Sequence, residues 1–268
     1  PLPIIAKIEV PAAVAAADDI IAAADAVMVA RGDLGVEMDL AAVPVIQKRL
    51  LASARAHGRP CIVATQMLQS MIDSPTPTRA EASDVAGAIC EGVDAVMLSG
   101  ETAVGRYPVV AVETMRRIGD EMETWMRGQA ETASHPSSTS GRHDDGEALV
   151  AGIWAAVEAS GSRCIVVYSE WGTWSRLLSR MSRPVPIIAY TRHPKVRRQM
   201  LLCRGVLPEL LTATPEEAEL TCEVRNRLHE STWLEVGDAV VVVLGRPLQS
   251  VVNSTRMTVH RLPEEEGS

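Results

Sequence analysis

The chain has 268 residues, 47% of them hydrophobic and 22% charged, a balance that excludes intrinsic disorder. No apolar run approaches the roughly 18 to 20 residues that a membrane helix needs, and 26 basic against 34 acidic residues leave a formal charge of −8, which argues against nucleic acid or an anionic membrane as a partner. The apolar mass is aliphatic, with five Trp, three Tyr and no Phe, as in helices packed on parallel strands rather than in a β-sandwich.

In chain order, the first half alternates short β-rich runs with amphipathic stretches. Strands are expected at Ile4–Ile8, Ala26–Ala30, Pro60–Ala64 and Asp94–Leu98, each followed by a polar loop and a helical pattern. Helices are expected at Ala41–Ala56, which ends in His57-Gly58, and at Arg79–Glu91, where Thr78 and Glu81 have the spacing of a capping box. Another runs from about Tyr107 to Met126. Apolar strands joined by helices describe four βα units on a parallel sheet with right-handed crossovers.

Residues 128–146, GQAETASHPSSTSGRHDDG, lack apolar periodicity and read as a flexible linker. A second α/β unit follows, with helices expected at Glu147–Ser160, Thr173–Met181, Pro194–Cys203 and Pro215–His229. Its strands are expected at Cys164–Tyr168, Pro186–Tyr190, Val206–Leu211 and Ala239–Leu244, with Arg256–Arg261 as an edge strand and Pro263–Ser268 as a frayed acidic tail. The cysteines, Cys61, Cys90, Cys164, Cys203 and Cys222, have no metal or CxxC spacing and read as buried thiols of a reducing cytoplasm. The chain opens at Pro1, two residues before a strand and without a secretory leader, and so reads as a processed or truncated product.

Only three of the 26 basic residues are Lys, so a Lys inside an apolar strand needs a reason. Lys7 and Glu9 are two apart on the first strand and point to one side, either as a structural ion pair or toward a site. The second strand ends in Ala30-Arg31-Gly32-Asp33-Leu34-Gly35, where glycines leave amides free for an anion and Asp33 offers a carboxylate. Glu9 and Asp33 together are the hard-oxygen pair suited to Mg²⁺. The third strand leads into Thr65-Gln66-Met67 and the fourth into Ser99-Gly100-Glu101-Thr102. Each hydroxyl alone reads as a helix cap. Four polar clusters at the ends of four successive parallel strands are the placement of an active site.

Five ordered motifs resemble the pyruvate kinase family: Ile4–Glu9, Met28–Glu37, Ala64–Leu68, Pro77–Glu81 and Ala95–Ala103. The resemblance continues through Cys164–Arg176, Pro184–Thr191 and Gly237–Leu262. It implies the second half of a TIM-type (β/α)8 barrel over residues 1–127, the linker at 128–146, and a small doubly wound α/β domain over 147–268. It implies that Glu9 and Asp33 bind Mg²⁺ or Mn²⁺ and that Lys7 neutralises the transferred phosphoryl group. Arg31, Gly32, Asp33 and Thr65 would hold the substrate, and Thr65 with Ser99 would pass a proton to the enolate. The implied substrates are phosphoenolpyruvate and ADP, the products pyruvate and ATP, and the implied partner a second copy or an amino-terminal half. The family's K⁺ ligands and nucleotide-holding groups are absent from this chain. Two further readings stay open: a half-barrel acting as a regulatory or interaction protein, and another Mg²⁺-dependent enolpyruvate aldolase or lyase. In place of the family's small-residue effector loop stands Ser169-Glu170-Trp171-Gly172-Thr173-Trp174-Ser175, and the later loop reads Gly245-Arg246-Pro247-Leu248-Gln249-Ser250-Val251-Val252. Both argue against fructose bisphosphate as an effector, and the two Trp read either as exposed rings that stack on a ligand base or bury against a partner, or as plain packing.

Overall fold

The computed structural model describes residues 2–132, 145–181, 183–211, 226, 228, 234–245 and 255–262. The chain divides into two compact units, Pro1–Ser137 and Ser138–Ser268. The first unit contains β1 (Ile5–Ile8), α1 (Pro11–Ala15), α2 (Ala17–Ala23), β2 (Ala26–Ala30), α3 (Arg31–Glu37), α4 (Val43–Ala56) and β3 (Cys61–Ala64). It continues with α5 (Arg79–Cys90), β4 (Ala95–Met97), α6 (Gly100–Ala103) and α7 (Pro108–Thr132). The four strands form one parallel sheet in the order β1-β2-β3-β4.

Side-chain alternation gives the two faces of this sheet different environments. Ile8, Val27, Val29, Cys61 and Val63 point one way, into a core closed by Ile21 of α2, Leu50 of α4, Val85 of α5 and Ala111 of α7. Each large aliphatic side chain fully removed from water there contributes about 1.5 to 3 kcal/mol. The opposite face carries the register row Lys7, Met28, Ile62 and Ala95. It is open at β1, where Ile5 is 44% exposed.

Local chemistry sets the element ends. Thr78 accepts from the Glu81 amide while Glu81 accepts from the Thr78 amide, the reciprocal box expected at the start of α5. Gly58 and Gly92, just past α4 and α5, adopt φ of 64° and 81°, a left-handed stop that glycine permits without a Cβ clash. Two expectations need correction. The segment after β2 is the first turn of α3 rather than a glycine loop. Helix α7 continues past Met126 to Thr132, because Gln129, Ala130 and Glu131 are good helix formers and Gly128 costs only about 1 kcal/mol relative to Ala.

The second unit contains α8 (Asp145–Ser160), β5 (Cys164–Tyr168), α9 (Thr173–Ser179), β6 (Ile187–Thr191), α10 (Pro194–Met200), β7 (Val206–Leu210), β8 (Ala239–Gly245) and β9 (Thr255–Arg261). Its sheet runs β7-β6-β5-β8-β9, with only β9 antiparallel. Both faces are buried. Ile165, Val167, Ile187, Val241 and Val243 pack with Trp154, Leu178 and Met200 of the helices, whereas Cys164, Val166, Ile188, Val240 and Val242 pack with Leu211, Leu228 and Leu262. Near-continuous Val and Ile in β5 and β8 are what burial on two sides demands.

Cys61, Cys164 and Cys203 are buried, but Cys90 is exposed at the end of α5, against the expectation of buried thiols throughout. The expected helix at 215–229 falls almost wholly outside the described residues, as do most of the loop at 245–252, the tail at 263–268 and Cys222. No described helix is long and apolar enough to cross a membrane.

Candidate active site

The carboxyl ends of the four parallel strands of the first unit gather its polar residues. Lys7 projects from the open face of β1 and its Nζ lies 2.6 Å from Glu9 Oε2 and 3.6 Å from Asp33 Oδ2. Two carboxylates from neighbouring strand ends thus converge on one cationic point. The Lys7–Glu9 ion pair is formed at the surface, with the Lys7, Glu9 and Asp33 side chains 52%, 39% and 56% exposed. The hydrogen bond to Glu9, then the Coulombic attraction of Glu9, raise the Lys7 pKa above 10.5 against the opposition of desolvation, and Asp33 adds a smaller raising contribution. Lys7 is therefore a full cation at neutral pH.

A second cluster joins β2 to β3. The Gly32 amide donates to Thr65 Oγ1 at 2.7 Å, and the Thr65 hydroxyl donates to the Ala64 carbonyl at 2.6 Å. A Cβ on Gly32 would stand 3.3 Å from Thr65 Oγ1, so the glycine permits the close approach. Of the two amides expected to be free for an anion, that of Gly32 is thus engaged by Thr65. Arg31 turns toward the protein: Nη1 donates to Asp84 at 2.7 Å, and Nη2 donates to the Thr65 carbonyl at 2.9 Å and reaches Met67 Sδ at 2.8 Å. Its side chain is only 11% exposed, so it braces the Thr65 loop.

Thr65 and Gln66 have φ of 71° and 57°. Left-handed backbone at non-glycine residues costs about 1 to 3 kcal/mol each and persists where the surroundings fix it. Ser99 is also off the common wells, at φ −122° and ψ −97°. Glu101, which the residue pattern did not single out as functional, is 1% exposed. Its Oε1 accepts from the Leu68 amide at 3.1 Å and its Oε2 from the Ser99 amide at 2.8 Å. The structure therefore brings Lys7, Glu9 and Asp33 together, and Arg31, Gly32 and Thr65 together, while Ser99 joins through Glu101.

Glu9 and Asp33 fit a hard divalent cation: both are oxygen donors, and the Lys7 ammonium marks the point on which they converge. Among the described residues no group of three or more His, Cys, Asp or Glu could hold a metal ion, so substrate and water would complete such a shell.

In the second unit, the loop after β5 is a closed structure. Trp171 is 55% exposed and stacks on His193, with ring centroids 4.4 Å apart at 17°. Trp174 is 3% exposed and belongs to the core, the plain-packing alternative of the two readings. Trp171 lies in the loop between β5 and α9, and Trp174 is the second residue of α9. The Glu170 carboxylate receives Arg192 Nη2 at 2.6 Å.

Comparison with known proteins agrees with this layout. A family described as "Pyruvate kinase, barrel domain" matches residues 2–112, and one described as "Pyruvate kinase, alpha/beta domain" matches residues 147–260. Pyruvate kinase of Mycobacterium tuberculosis (strain ATCC 25618 / H37Rv) is 41% identical over 265 residues, covering 99% of this chain and 55% of its own. Pyruvate kinase 2 of Synechocystis is 40% identical over 254 residues, covering 95% of this chain and 42% of its own. Among solved structures, Cryptosporidium parvum pyruvate kinase in complex with ADP superposes with a TM-score of 0.86 at 34% identity, over 97% of this chain and 52% of that one. The chain spans about half the length of the curated relatives it matches. With both of its units matched in order, the chain belongs to the pyruvate kinase family.

Proposed function

We propose that this chain serves Mg²⁺- or Mn²⁺-dependent phosphoryl transfer from phosphoenolpyruvate to ADP, giving pyruvate and ATP, as a cytoplasmic glycolytic enzyme. The observation that carries the reading is the convergence of Glu9, Asp33 and the Lys7 ammonium at the ends of two parallel strands. Phosphoryl transfer asks a protein for positioning and charge neutralisation rather than covalent chemistry. Lys7 supplies a fixed positive charge for the phosphoryl oxygens and, after the P–O bond breaks, for the enolate. Glu9 and Asp33 hold the divalent cation, which when bound spreads the charge of the phosphoryl group in flight. Asp33 lies in the first turn of α3, where its amide points toward an incoming substrate carboxylate. The Thr65 hydroxyl, with Ser99 on the next strand, delivers the proton that converts enolate to pyruvate. ADP, K⁺ and a homo-oligomer or an amino-terminal half complete the proposal, since the groups that hold nucleotide and K⁺ lie outside these motifs.

The test is pyruvate formation from phosphoenolpyruvate with ADP, Mg²⁺ and K⁺. The isolated chain is expected to show little or no turnover, and the chain complemented by the other half of the barrel to show robust turnover. In the complemented enzyme Lys7→Met lowers turnover by about 100-fold or more without shifting the melting temperature. Undiminished turnover by Lys7→Met overturns the assignment.

A further inference from the structure

We infer that Glu101 is a positioning residue for the reaction proposed above, one carboxylate that holds the Thr65 loop and the Ser99 loop in a single mutual geometry. The inference rests on that reading of the site. Each oxygen serves a different loop: Oε1 takes the Leu68 amide and Oε2 the Ser99 amide. Among the described residues Glu101 makes no ion pair, so backbone donors carry the stabilisation of a side chain that is 1% exposed. Burying a carboxyl group this way is costly unless its hydrogen bonds are kept, so each loop resists displacement of the other.

The two loops held by Glu101 are the ones whose backbone departs from ordinary conformations. Residues 65 and 66 are left-handed, and Arg31 holds the start of that turn through the Thr65 carbonyl. Glu101 holds its end through Leu68, which is wholly buried. The chain around Glu101 is close-packed: a Cβ on Gly105 would lie 2.3 Å from the Glu101 carbonyl oxygen, and one on Gly100 would lie 2.9 Å from Ile72 Cδ1. Both hydroxyls proposed to handle the enolate proton are thus referred to one buried carboxylate, and a shift of about 1 Å in such groups costs on the order of 100-fold in rate.

The test compares the wild-type chain with Glu101→Gln and Glu101→Asp. In Glu101→Gln the carboxamide presents one acceptor and one donor to two N–H groups, so residue-resolved amide exchange by NMR is expected to speed up about tenfold or more at Leu68 or Ser99. Exchange at Val29 and Val63 in the strands stays unchanged. Glu101→Asp keeps both acceptors on a shorter stem and recovers part of the protection. In the complemented enzyme Glu101→Gln lowers kcat about 10- to 100-fold with KM for phosphoenolpyruvate within about threefold, and Glu101→Asp recovers part of kcat. Unchanged protection at both amides, or unchanged kcat per folded molecule, overturns the inference. If Glu101→Gln does not fold, Glu101→Asp is held to the same two criteria, with intermediate losses expected. If the wild-type complemented enzyme forms no pyruvate, the phosphoryl-transfer reading fails and takes the catalytic part of this inference with it, and the exchange data then decide the loop geometry alone.

Discussion

Trp171 and Trp174 stand three positions apart, yet one stacks on His193 in the open and the other fills the core beneath α9. Nothing in the local composition separates them, because the difference arises from Gly172 at φ 76°, which turns the chain inward between them. Lys7, Glu9 and Asp33 were legible for the opposite reason. A charged pair with strand parity inside an apolar run stands out, and the topology of a parallel sheet sends it to the strand end. Glu101 was hidden, since an acidic residue at a helix start is also what a simple cap looks like. Thiol chemistry gives a test at this scale. Burial pushes the Cys61 and Cys164 thiols up to about 12, with further raising by Asp94 and Asp238 respectively. A thiol reagent at neutral pH is expected to modify Cys90 well before Cys61, Cys164 or Cys203, read by mass spectrometry of peptide digests. Labelling of Cys61 first would contradict the burial described.

Among the elements, every described strand was legible to within about two residues because Val, Ile and Ala runs ended at polar loops. Helix ends were less so. The glycines of α3 suggested a loop, whereas the segment is helical with Leu34 wholly buried in the core. The start of α5 was fully legible in Thr78 and Glu81, and it carries two measurable consequences. Thr78→Ala removes the cap and is expected to destabilise the first unit by about 1 kcal/mol in chemical denaturation. Burial would raise the Glu81 pKa, but hydrogen bonds from Ser70 and Thr78 outweigh it and leave the pKa below 4.5. A depressed carboxyl pKa contributes stability that is fully present above 4.5 and is lost as pH falls through the folded-state value. The stability gap between wild type and Glu81→Gln is therefore expected to be open at neutral pH and to close in acid. A gap independent of pH would show that the carboxylate form is not what the box requires.

For the whole molecule, the two units bury their sheets in separate cores. In the first unit β2 and β3 are buried almost throughout while β1 is open at Ile5 and Lys7, and in the second both faces of β5 and β8 are filled. The composition showed aliphatic strands in both halves and could not show this difference, since each strand reads as buried whichever side its neighbours occupy. Separate cores predict separate cooperative transitions. The tryptophans turn that difference into an optical signal. Of the four described, Trp154 and Trp174 are shielded inside the second unit, whereas Trp125 on α7 of the first unit is already 53% in water. Emission wavelength during denaturation is therefore expected to report the second unit almost alone, while far-ultraviolet dichroism reports both. Superimposable curves from the two probes would mean that the units unfold as one. Displaced curves would let the melting of one unit be timed against the other within the same polypeptide, with no label added.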